Sequence, residues 1–150
     1  MTDTDRIEKT IVLRAPRSRV WRALTDAGEF GTWFRAEMEG PFEEGRTARG
    51  RITYPGYEHL TMEVMVERME PERLFSFRWH PYAVEEGVDY AAEPTTLVSF
   101  TLEEAPRGTR LTIVESGFDA IPESRRAKAF TMNSKGWDGQ AENLRKFLAA

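Results

Sequence analysis

The sequence predicts an α+β domain in which a curved antiparallel sheet wraps one long C-terminal helix. Two observations carry this. Residues 34–116 break into short alternating apolar and polar runs separated by turn signals, the texture of an antiparallel meander. The end of the chain then changes to helical period, and its apolar stripe needs a partner surface that only the inner face of a sheet supplies.

Taken in order, Ile7, Lys9, Ile11 and Leu13 alternate with mostly polar neighbours and predict a first, half-buried strand. Ala15-Pro16 ends it. Pro16 at a first helical position, followed by Ser18, Val20, Trp21 and Leu24, predicts a short helix ending near Asp26-Ala27-Gly28, and a second helical piece covers residues 29–33. Turns fall at Glu43-Glu44-Gly45, Tyr54-Pro55-Gly56, Glu70-Pro71-Glu72 and Pro106-Arg107-Gly108. The clearest strands between them are residues 60–69, 74–80, 95–103 and 109–116. Their inward rows are Leu60/Met62/Val64/Val66, Phe75/Phe77/Trp79, Val98/Phe100/Leu102 and Leu111/Ile113. Phe130, Trp137, Leu144 and Leu148 lie near one helical stripe with Asn133, Gln140 and Ala141 beside it, which predicts a terminal helix from about residue 133 to 149. Residues 81–94 are the one long irregular stretch, of a length that often serves as a lid or binding loop. No repeat or linker divides residues 1–150, so a single domain is expected.

Composition narrows the function. With no cysteine there is no disulfide framework, thiolate metal site or thiol nucleophile. A net charge of −4 argues against a nucleic-acid partner, which needs a basic surface. No apolar stretch reaches the roughly 18 residues of a membrane span, and residues 1–10 lack a signal-like apolar region, so a cytoplasmic protein is expected. The two histidines, His59 and His80, are too few and too far apart for a metal site. His59 falls in a turn. His80 ends a strand on the side opposite Phe75, Phe77 and Trp79, so it is expected to face outward.

Glu115 is the most informative polar residue. Counting in twos from Leu111 and Ile113 puts its carboxylate on the inner, apolar face. It is there a candidate polar anchor for a ligand or a candidate catalytic acid; the bland alternative is a rim position paired with Arg78 or Arg110. Asn133 and Trp137, four residues apart, point at the same space, where one can hydrogen-bond a ligand and the other stack on it. Their bland readings are a helix N-cap and core packing. The aromatic residues Trp33, Phe34, Phe42, Tyr54, Trp79, Tyr82, Tyr90, Phe100, Phe118, Phe130 and Trp137 are too many for a small core and are expected to line one volume together with Met62, Val64 and Phe77, the alternative being a solid core. No Gly-x-Ser-x-Gly elbow or phosphate-cradling loop is present.

The motif from Ala15-Pro16-Arg17-Ser18-Arg19-Val20-Trp21 to Asp26, then Trp33-Phe34, Phe77-Arg78-Trp79, the run from Thr96 to Glu103, Gly108-Thr109-Arg110-Leu111-Thr112, Glu115-Ser116-Gly117-Phe118 and Gly136-Trp137 follow one another in the order of a known family. On these the sequence, from about Ile7 to Leu148, resembles the START-like (SRPBCC) superfamily in its Hsp90-ATPase-activator-homologue branch. The resemblance implies the helix-grip fold, with seven strands and two short helices after the first. It also implies a cavity between sheet and helix, which in relatives holds lipids, hormones or polyketides and in a few performs catalysis. A small apolar molecule is then the expected partner, with a homodimer and Hsp90 as alternatives. Trp79, Phe100 and Trp137 are the expected walls and Glu115 the anchor; a cyclase, dehydratase or isomerase using Glu115, assisted by Asn133 or Tyr90, is the rival. No cofactor is expected, because ferredoxin-type cysteines and a glycine-rich dinucleotide loop are both missing.

Overall fold

In the computed structural model, which describes residues 5–83 and 89–149, seven strands form one antiparallel sheet in the order β1-β7-β6-β5-β4-β3-β2. The strands are β1 (Arg6–Leu13), β2 (Ala36–Met38), β3 (Thr47–Ile52), β4 (Thr61–Glu70), β5 (Leu74–Trp79), β6 (Thr96–Ala105) and β7 (Gly108–Ser116). Helices α1 (Arg17–Thr25) and α2 (Ala27–Phe34) follow β1, and α3 (Glu123–Ala149) ends the chain. This is the helix-grip architecture. Every strand from β2 to β7 pairs with its sequence neighbour, and β1 returns to pair with β7, Ile7 opposite Glu115 and Leu13 opposite Thr109. Of the irregular stretch 81–94, residues 84–88 lie outside the described residues.

The period-two rows are realised as buried faces. Met62, Val64 and Val66 of β4, Phe75 and Phe77 of β5, Val98, Phe100 and Leu102 of β6, and Leu111 and Ile113 of β7 are all buried. A register shift between Val66 and Arg68 marks a bulge where β4 meets β5; bulges bend a strand and increase its twist, which curves a sheet around a helix. Phe75, Phe77 and Phe100 stand at centroid distances of 5.8–6.0 Å from one another and fill the middle of the concave face. Each such ring is worth about 1.5–3 kcal/mol of burial, so this cluster is the main apolar support of the sheet.

Two boundaries differ from the sequence expectation. Pro16 occupies the N-cap of α1 with extended backbone, one residue before the first helical position. The terminal helix starts at Glu123, ten residues ahead of the expected start near Asn133, so Asn133 is a mid-helix residue and not an N-cap. The cause is legible in burial. Between Glu123 and Lys128 no residue is buried, and Ala129 is the first that is, so the opening turns carry no apolar stripe to read. Arg125 does the anchoring there. Its Nε–H donates to Glu93 Oε1 (2.8 Å) and its Nη1 to the Pro81 carbonyl (2.8 Å).

The short helices are set by local chemistry. Asp26 caps α2 by accepting from the Glu29 N–H (2.9 Å), and Arg35 ends it in the left-handed conformation with φ 69°. Gly31 allows the chain to fold straight back into β2, since a Cβ there would lie 2.1 Å from the Ala36 carbonyl oxygen. Gly31→Ala is expected to cost about 1–3 kcal/mol despite alanine's better helix propensity. Urea denaturation measures it, and an unchanged midpoint would mean that α2 and β2 separate without strain.

Candidate functional site

Three inward rows end together at one end of the sheet. Trp79 closes the row of β5, Thr96 opens that of β6 directly opposite it, and Glu115 closes that of β7, across from Val98. Asn133 and Trp137 arrive from above on successive turns of α3. Glu115 is 0% exposed, and all four of these side chains donate to it. Trp79 Nε1–H and Thr96 Oγ1–H reach Oε2 at 2.8 and 2.6 Å, and Trp137 Nε1–H reaches Oε1 at 2.8 Å. Asn133 Nδ2 spans both oxygens at 3.0 and 3.1 Å.

A carboxylate is an acceptor with about four lone-pair sites, and this donor set occupies them. The donors are all neutral. Arg78 pairs instead with Glu67 (3.7 Å) and Arg110 is exposed, so the ion pair considered from sequence does not form. An indole N–H can only donate, so Glu115 in turn satisfies the N–H of buried Trp137 and that of half-buried Trp79. Held this way, Trp79 and Trp137 stack at 5.7 Å and 29°, and Phe34 tilts against both at 6.1 and 6.2 Å.

Above this aromatic floor lies an open groove of about 660 Å³. Phe34 of α2, Ile52 of β3, Met62 of β4 and Trp79 of β5 form its walls, with Met132, Asn133, Gly136 and Gln140 of α3. Tyr54, Tyr57, Leu60, His80, Tyr82 and Tyr90 surround its mouth, and a smaller recess of about 120 Å³ reaches down to Trp137. The hollow is therefore a groove at one end of the fold, while the centre beneath the sheet is filled.

The residues singled out from sequence divide between these two places. Phe34, Tyr54, Met62, Trp79, Tyr90, Asn133 and Trp137 border the groove or its recess. Trp33 donates its indole N–H to the Ala23 carbonyl (2.8 Å), and Phe42 packs on Phe30 and Phe75, both in the core between helices and sheet. Val64, Phe77 and Phe100 are fully buried in the central cluster, and Phe118 meets Phe130 edge-on at 5.3 Å under the start of α3. Gly117, at φ 101°, makes the turn that carries the chain from β7 to Phe118.

Residues 14–149 match the sequence family described as Activator of Hsp90 ATPase homolog 1-like protein. The chain belongs to this family. Among solved structures it is similar to protein MLL2253 from Mesorhizobium loti, at 24% identity and a TM-score of 0.75 with 96% of each chain covered. It is also similar to DynU16, a protein of the dynemicin biosynthetic locus, at 23% identity and a TM-score of 0.74; 97% of this chain is covered, which spans 48% of DynU16. The Aha1 dimer from Colwellia psychrerythraea shares 15% identity, with a TM-score of 0.70 and 95% of each chain covered. At these identities the likeness is one of fold. No curated protein matches the chain.

Within this family frame, several groove residues escaped the sequence reading. His80 is half-buried: β5 stops at Trp79, so strand parity no longer applies, and His80 Nε2 contacts the Glu93 carbonyl at 3.0 Å. Ile52, Tyr57, Met132 and Gln140 also border the groove. For Gln140 the signal is its place beside the apolar stripe of the helix. On the rim, the Glu58 and Gly56 backbone N–H groups hold the Glu58 carboxyl below the usual carboxylate range, pinning the turn that presents Tyr54 and Tyr57. Because the folded value is depressed, that pin is present at neutral pH and is lost as pH falls through it. Among the described residues no helix is long and apolar enough to cross a membrane, and no three His, Asp or Glu side chains gather as a metal site.

Proposed function

We propose that the protein binds a small apolar molecule containing an aromatic ring in the groove between the sheet end and α3, and sequesters or presents it. The observation that carries this is an open volume of about 660 Å³ walled by Phe34, Ile52, Met62, Trp79 and Met132, with tyrosine, histidine and amide side chains beside them, within the size and chemistry of small-molecule sites. The saturated donor set of Glu115 supports a binding role over proton transfer, because a carboxylate with every lone pair engaged serves to fix the floor. Trp79 then offers its ring to a guest, Trp137 supports it from the recess below, and Asn133 offers a polar contact.

A thermal-shift screen of aromatic and hydrophobic compounds is expected to find ligands that raise Tm. At a ligand concentration 100-fold above Kd the gain is about 2.7 kcal/mol, and a domain of this size then shifts by roughly 5–10 °C. Binding is also expected to change tryptophan fluorescence, since Trp79 lies in the wall. A broad library without any response would sink the reading.

A further inference from the structure

We propose that the groove selects guests that donate a hydrogen bond, aromatic hydroxyl or amine compounds, over aromatic ethers and aromatic carboxylates; this rests on the binding reading above. The reason is that the indole donors of the groove's floor are already spent on Glu115, while an amide carbonyl is left open to a donor. Both indole N–H groups of the floor are committed to Glu115. Glu115 also decides which way round Asn133 sits, because an acceptor can be met only by the amide nitrogen. The Asn133 carbonyl Oδ1 is left on the branch directed away from Glu115, and no described residue donates to it. Asn133 lines the groove, so Oδ1 is the acceptor displayed there.

The remaining polar groups point the same way. Gln140 is held at both ends, one Nε2–H donating to the Phe34 carbonyl (3.1 Å) and Oε1 accepting from Asn143 (3.1 Å), and its remaining N–H and lone pair balance one another. The Glu93 carbonyl can only accept, so the His80 Nε2–H is spent on it. Among the described residues the acidic side chains in the lining are Glu63 and Asp89, and no lysine or arginine lines it. Arg35, Arg125 and Lys128 stand nearby but lie over the Tyr54, Tyr90 and Tyr82 rings, 5.4, 4.8 and 5.9 Å from their centroids. The tyrosine and Thr61 hydroxyls donate or accept equally and bias nothing. An aromatic carboxylate would meet Oδ1, Glu63 and Asp89 with no cation among the described lining residues, and an ether would leave Oδ1 desolvated and unpaired. Glu115 is thus a positioning residue for specificity, acting through Asn133.

The test titrates the full chain with 2-naphthol, 2-methoxynaphthalene and 2-naphthoate, following tryptophan fluorescence and calorimetry. Binding of 2-naphthol is expected to be about tenfold tighter than that of either analogue, one hydrogen bond's worth of discrimination. In Asn133→Leu, checked for folding by circular dichroism, the ratio of naphthol to ether affinity is expected to fall towards one. Equal or tighter binding of the ether or the naphthoate to the wild-type protein overturns the donor rule while leaving groove binding intact. A donor preference that survives in Asn133→Leu overturns the role given to Asn133. Absence of binding by all three probes overturns the groove reading and this inference with it. The wild-type ratio carries the test whether or not the variant folds.

Discussion

Glu115→Leu is expected to lower folding stability by about 2–5 kcal/mol, because it strips the acceptor from buried donors that have nowhere else to turn, at about 1–3 kcal/mol each. Thr96 is 0% exposed and Trp137 2% exposed, so neither the hydroxyl nor the indole N–H can recover a partner from water. Trp79 and Asn133 are half-buried and can, which limits the total. Against a typical domain stability of about 5–15 kcal/mol, the loss is a large fraction of the whole. Glu115→Gln keeps the shape and one acceptor oxygen, and the Thr96 hydroxyl can rotate to accept from the new amide, so its cost is expected to be nearer 1–2 kcal/mol. Urea denaturation with an unchanged slope separates the three proteins. A leucine variant within about 1 kcal/mol of the parent would show that water or a rearranged floor replaces the carboxylate.

Trp137→Ala is expected to be as damaging, by about 3–5 kcal/mol, the usual cost of emptying a large buried aromatic site. Its ring touches Trp79, Phe100 and Phe34 at centroid distances of 5.7, 5.8 and 6.2 Å, so the floor of the groove loses its shared member. Trp137→Phe isolates the N–H from the packing. It is expected to cost about 1–2 kcal/mol, and in combination with Glu115→Leu the two losses are expected to fall short of their sum, since both remove the same hydrogen bond. Full additivity would mean that the Trp137–Glu115 contact of 2.8 Å contributes nothing. Any ligand found for the parent protein is expected to bind Trp137→Ala at least about tenfold more weakly, because the recess below Asn133 is lined by that ring.

The strand rows of β4 to β7 were legible because each alternates cleanly, and Glu115 was placed inward by the same parity that places Leu111 and Ile113. The start of α3 was not legible, since its opening turns expose Glu123, Ser124, Ala127 and Lys128 and are held by Arg125 reaching across to Glu93 and Pro81. The aromatic residues expected to line one volume divide instead: Phe42, Phe77 and Phe100 fill the centre, Phe34 and Trp79 border open space, and Tyr54 is half exposed, a division that depends on how the elements cross. His80 was misread because parity was carried one residue beyond the strand's end.

Which face of each element turns inward, and with it the sheet, the terminal helix and the burial of one glutamate, is written in the order of the residues. Periodicity and turn chemistry are properties of consecutive residues, so they can be read along the chain. Tertiary structure alone decided that Glu115 is met by two indoles, a hydroxyl and an amide instead of an arginine, and that the open volume lies at one end of the sheet. Those partners come from β5, β6 and α3, remote from β7 in sequence or set by how the helix crosses it, and their meeting depends on the curvature of the sheet and the height at which α3 passes over it.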